Sequence, residues 1–133
     1  MATSFELRIV TPARHLLDEQ VREVTGPGTL GEFGVLPDHI TFLTSLEPGT
    51  LTFRTDAGTR KVAVRGGFAE MLNNVMTILA DDAVPAESID TTRARQELQD
   101  AETQLQKLST ADADYATVDG NRRWAQARLD AAR

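Results

Sequence analysis

Three groups of residues in this 133-residue chain have types and spacings that could do chemistry. The first is Gly26-x-Gly28-x-x-Gly31, the spacing of a loop that wraps a dinucleotide pyrophosphate. That loop works only where the glycines end a strand and open a helix, so that free N–H groups meet the phosphates. Here Pro27 sits inside the motif and Gly34 and Pro37 follow it, so no helix can start and persist. A glycine-punctuated turn between short strands fits better, with Leu30, Phe33, Val35 and Leu36 as the apolar contacts. The second group is Ile89-Asp90-x-x-Arg93-Ala94, where an aspartate can cap a helix and pair with an arginine three residues on. The third is Arg122, Arg123, Arg128 and Arg133, four guanidiniums in the last fourteen residues against Asp130 alone.

Other reactive constellations are missing from the sequence. His15 and His39 are its only histidines, too far apart in sequence for a clustered metal site. No Gly-x-Ser-x-Gly elbow occurs, and Asp18-Glu19 and Asp81-Asp82 read as solvated turns. With no cysteine there is no disulfide and no thiolate chemistry, which fits a reducing compartment. The net charge is −6, a poor match to a phosphate backbone, so no nucleic-acid partner is expected. No apolar run reaches the ~18 residues of a membrane span, and residues 1–8 lack a signal peptide's order, so no membrane insertion is expected. The charge is uneven: residues 1–88 carry seven basic and twelve acidic groups, residues 89–119 three and seven, and the remainder four and one.

The elements that must position these groups change character near Pro85. Up to Val84 the chain alternates in short runs, such as Phe5-x-Leu7-x-Ile9, Leu51-x-Phe53, Val62-x-Val64 and Val75-x-x-Ile78. Turn residues stand between them: Pro48-Gly49, Asp56-Ala57-Gly58, Gly66-Gly67 and Asn73-Asn74. This predicts an all-β domain over residues 1–86, an antiparallel β-sandwich or flattened barrel of about ten short strands. Asp56-Ala57-Gly58 is the clearest hairpin, and the lack of a helical crossover argues against parallel pairing.

Over residues 87–133 helix formers dominate. Ser88 or Asp90 can cap the start, and Ala94, Leu98, Ala101, Leu105 and Leu108 recur as one narrow seam. Ser109 and Asp112 break the helix and supply caps for a second, whose seam is Tyr115, Val118, Ala125, Leu129 and Ala132. The expectation is an antiparallel two-helix hairpin, thinly packed and further weakened by Gly120.

Two ordered blocks resemble the epsilon subunit of bacterial F-type ATP synthase. One is Gly31-Glu32-Phe33-Gly34-Val35-Leu36-Pro37-x-His39, with Asp38 where that family usually has glycine; the other is Gly66-Gly67-Phe68-x-Glu70 leading to Asn74–Asp81. With the C-terminal segment the resemblance covers nearly the whole chain. It implies a non-catalytic rotor subunit of the central stalk, which couples proton translocation to ATP synthesis. The implied partners are the gamma subunit, the c-subunit ring at Glu32 and His39, and the alpha and beta catalytic subunits. The last would meet Arg122, Arg123 and Arg128 as the hairpin inhibits ATP hydrolysis. The implied location is peripheral, on the cytoplasmic face of the inner membrane.

The resemblance also makes Ile89, Asp90, Arg93, Ala94 and Arg128 an ATP-holding set, with ATP a weak regulatory ligand and no cofactor required. Val84, Asp100 and Trp124 stand where strong binders in the family carry glutamate, arginine and arginine. Apart from the resemblance, a β-sandwich adaptor whose hairpin binds some other protein fits the same pattern.

Overall fold

The computed structural model describes residues 2–133; Met1, the first residue of the N-terminal stretch read above, lies outside them. Eight strands precede two helices: β1 (Phe5–Val10), β2 (His15–Val21), β3 (Glu23–Gly28), β4 (Gly31–Val35), β5 (Phe42–Thr55), β6 (Gly58–Leu72), β7 (Val75–Ala80), β8 (Ala83–Pro85), α1 (Thr91–Leu105) and α2 (Tyr115–Ala131). The strands run in the order β2-β1-β7-β6-β5-β3-β4, with β8 on β6, and the sheet folds into a sandwich without closing.

About ten short strands were expected, and the number falls because two pairs of runs are continuous. Leu43 and Leu51-x-Phe53 belong to one 14-residue strand, and Val62-x-Val64 and Phe68 to one of 15 residues. Pro48 lies opposite Arg65, next to Gly66-Gly67, so the two strands bend together instead of turning back. At that bend β6 changes partner, from β8 over Val62–Val64 to β7 over Gly67–Leu72. Gly67 has φ 115°, and a Cβ there would lie 2.0 Å from the Leu79 carbonyl oxygen. No other residue fits that approach.

One pairing contradicts the sequence expectation. β1 and β7 are parallel, from Glu6 opposite Val75 to Val10 opposite Leu79. A helical crossover is unnecessary because the connection between them is the rest of the sandwich, β2 to β6. The hairpins behave as read: Asp56-Ala57 joins β5 to β6, and Asn73 and Asn74 take φ 50° and 61° between β6 and β7.

Inward-facing side chains form one dry core, with Phe5, Leu7, Ile9, Leu51, Phe53, Met71, Met76 and Ile78 fully buried. Each such side chain contributes about 1.5–3 kcal/mol of transfer free energy. Around the glycine turn, Val35 is buried and Phe33 packs on the core, but Leu30 is 98% exposed and Leu36 also faces outward. The two-residue loop Thr29-Leu30 between Gly28 and Gly31 carries Leu30 off the sheet.

In the hairpin, Asp90 caps α1 by accepting from the Arg93 backbone N–H at 3.0 Å. α1 ends at Leu105, so Leu108 falls in the turn instead of the helix. Ser109 and Asp112 close that turn on each other, Ser109 N–H donating to Asp112 Oδ2 at 2.7 Å. They do not cap α2, whose first turn has no side-chain cap. Ala94, Ala101 and Ala125 are buried in the helix–helix seam as read. A second buried face of α2 was not read: Trp124, Ala127 and Ala131 cluster with Ala63, Val84 and Ile89. α2 therefore lies between α1 and the sandwich.

Candidate functional site

Where the hairpin meets the sandwich there is a cavity of about 570 Å³. Three elements supply its cations: Arg65 from β6, Arg93 from the first turn of α1, and Arg128 from α2. Val84, Asp100 and Trp124 line it as well. Arg93 and Arg128 are thus brought to one space from positions 35 residues apart in sequence.

Glu97 organises this space. One carboxylate oxygen accepts from Arg93 Nε at 3.0 Å, and the other accepts from Arg128 Nη2. Arg128 is only 13% exposed, and its guanidinium lies over the Trp124 ring, 5.1 Å from the centroid. The hydrogen bond from Arg128, followed by the field of both arginines, holds the Glu97 carboxyl below the ordinary range despite some desolvation. The expected Asp90–Arg93 side-chain pair is absent. The Asp90 carboxylate is committed to the backbone of α1, while the Arg93 guanidinium reaches one turn forward to Glu97.

Ile89 and Ala94, the apolar members of the motif, serve packing. Ile89 lies against the Trp124 cluster, and Ala94 is fully buried. Arg65 donates to Asn121 Oδ1 of α2 at 2.9 Å, a link between sandwich and hairpin that no sequence pattern announced. Asp82, Glu97 and Asp100 balance the three arginines in number. Asp100 adds a carboxylate to the lining, which lowers the positive potential the arginines create there.

The C-terminal arginines are all engaged within the chain. Arg122 forks onto Asp119 with bonds of 3.0 and 2.8 Å, and Arg133 lies 3.6 Å from Asp130. Arg123 reaches Glu47 of β5 at 2.5 Å, and Arg128 reaches Glu97. Two of these bonds therefore hold α2 to its neighbours.

Glu32 and His39 sit at another part of the sandwich. Glu32 is exposed on β4 opposite Pro27. His39 is exposed in the following loop, with Nδ1 2.8 Å from the Ile40 carbonyl oxygen and its ring edge-on to Phe42. Asp38 adopts φ 63°, the glycine-like conformation its position requires. Its N–H donates to Asn74 Oδ1, and its carboxylate accepts from the Ala2 N–H, both at 2.9 Å. His15, the other histidine, lies 2.9 Å from Asp18 on β2.

Residues 4–86 match the family model described as the ATP synthase delta/epsilon chain β-sandwich domain. The ATP synthase epsilon chain of Nitratidesulfovibrio vulgaris strain DP4 is 43% identical over 129 residues, covering 97% of this chain and 96% of its own. That of Citrifermentans bemidjiense is 42% identical over 115 residues, covering 86% and 83%. Among solved structures, a chain of the Euglena gracilis mitochondrial ATP synthase OSCP/F1/c-ring assembly superposes with a TM-score of 0.83. It is 27% identical, over 99% of this chain and 82% of that one. A chain of the Tetrahymena thermophila mitochondrial ATP synthase central stalk and c-ring shares the fold, with a TM-score of 0.66 at 18% identity over 96% of each chain. With its sandwich matched by the family model and nearly its whole length aligned to these relatives, the chain belongs to the ATP synthase epsilon chain family.

Proposed function

We propose that this chain is a non-catalytic rotor subunit whose sandwich docks to the gamma subunit and rests on the c-subunit ring, coupling proton flow to ATP synthesis. The observation that supports this best is the outer face of β5, β6 and β7. Phe68 is 55% exposed and Leu79, directly opposite it, 53%; Leu43 and Leu72 flank Glu70 beside them and are exposed too. A sheet that buries one face in its own core and shows a second apolar face to solvent is built for a partner. The ring contact falls to Glu32 and His39, near the exposed Leu30, Leu36 and Ile40 of the same strand and its adjoining loops.

The hairpin acts as the brake on ATP hydrolysis. In the compact arrangement Arg123 and Arg128 are held by Glu47 and Glu97. Extension exchanges those partners for acidic segments of the alpha and beta subunits, with Arg122 alongside. ATP, bound weakly at Arg93 and Arg128, favours the compact form by its differential affinity, so falling ATP favours the inhibitory form. The protein is peripheral on the cytoplasmic face of the inner membrane. No helix among the described residues is long and apolar enough to cross it.

Removal of residues 88–133 tests the division of labour in a reconstituted complex. Assembly is expected to survive and ATP hydrolysis to rise. Unchanged hydrolysis would remove the brake, and loss of assembly would remove the docking role of the sandwich.

A further inference from the structure

We propose that the cavity between hairpin and sandwich is a polyphosphate seat that the chain keeps shut with its own carboxylate. Glu97 holds the Arg93 and Arg128 guanidiniums in place of a phosphate, and a ligand must displace it, with Arg65 as the third cation. This rests on the reading of Arg93 and Arg128 as anion-binding groups, and it adds which residue limits binding and what the ligand is recognised by.

The first ground is geometric. A carboxylate that accepts from two guanidiniums, one per oxygen, makes the charge-assisted contacts that two phosphate oxygens would make. Arg93 is 74% exposed and can swing toward a ligand, whereas Arg128 is clamped between Glu97 and Trp124. The cost of opening therefore falls on the Glu97–Arg128 contact.

The second ground is where the third cation comes from. Arg65 makes no ion pair among the described residues, although it lines the same cavity. Its bond to the neutral amide of Asn121 leaves its charge uncompensated at hydrogen-bond range. It also belongs to β6, next to the Gly66-Gly67 bend that fixes its backbone. A ligand touching Arg65, Arg93 and Arg128 would connect β6, α1 and α2, and so lock the hairpin down more firmly than one held by the helices alone.

The third ground concerns the base. The one aromatic residue lining the cavity, Trp124, is buried and already carries Arg128 on its ring. One face of that ring is thereby taken by the guanidinium. The cations that line the cavity are guanidiniums suited to phosphate oxygens, so inorganic tripolyphosphate is expected to bind as ATP does.

The test is calorimetric titration of the full chain with ATP and, separately, with sodium tripolyphosphate, with circular dichroism to confirm the fold of each variant. Glu97→Gln keeps the size and removes the charge, and is expected to tighten both ligands by at least about tenfold. Glu97→Asp keeps the charge but shortens the reach, and is expected to give a smaller gain of the same sign. Adding Arg65→Ala to Glu97→Gln is expected to abolish most of the gain. If wild type binds as tightly as Glu97→Gln, Glu97 is no plug and the inference falls while the ATP reading stands. If neither protein binds either ligand, both fall. A strong preference for ATP over tripolyphosphate would overturn phosphate-only recognition, and an unaffected double variant would remove Arg65.

Discussion

The sandwich and the hairpin are held together by different forces. The sandwich closes over a continuous core of Phe, Leu, Ile, Val and Met side chains at or near zero exposure. The hairpin buries mostly alanine, plus one tryptophan that packs with Ala63 and Val84 of the sandwich, and its long-range polar ties are Arg128–Glu97, Arg123–Glu47 and Arg65–Asn121. Apolar burial gives a large, non-directional free energy that salt barely touches. Ion pairs at a half-exposed interface contribute about 0–1 kcal/mol each and weaken with ionic strength. A subunit built this way has a body that must not yield under torque and an arm that can be released at modest cost.

The difference can be pushed from either side. The largest effect should come from Phe5→Ala, which empties part of the sandwich core and is expected to cost about 3–5 kcal/mol in urea denaturation. It should unfold the whole chain more readily, whereas a hairpin variant should not.

Acid should loosen the hairpin. The folded-state Glu97 is held below its unfolded value, so the stability it supplies is fully present above the unfolded value. That stability is lost as pH falls through the depressed folded value. Falling pH should therefore loosen α2 from α1, seen as a change in Trp124 fluorescence.

The smallest effect belongs to Gly120→Ala. A Cβ at Gly120 meets nothing within 4 Å, so the substitution should stabilise α2 by about 0.5–1 kcal/mol, read from the thermal transition of the helical signal.

Features set by neighbours along the chain were legible in the sequence. The alternation of Phe5, Leu7 and Ile9, the Asp56-Ala57 hairpin and the Asp90 cap each depend on a few consecutive residues. Features that need a partner from elsewhere were not. Pro48-Gly49 and Gly66-Gly67 look like turns until β5 and β6 are laid side by side and bend together. Trp124, Ala127 and Ala131 lie off the predicted seam of the second helix, and their burial follows only once α2 is placed between α1 and β6. At the cavity, Arg93 belongs to a motif and Arg128 is reached only through the family resemblance, while the Arg93–Glu97 spacing is visible in the sequence. Arg65 and Glu47 came only from the fold, because their partners on α2 lie 56 and 76 positions away.

Native-state hydrogen exchange on the isolated chain tests the fixed body and releasable arm most directly. Amides of β5, β6 and β7 should exchange only through global unfolding, and those of α1 and α2 through a separate opening of much lower free energy that salt makes easier. Helices as well protected as the strands, and indifferent to salt, would contradict the account.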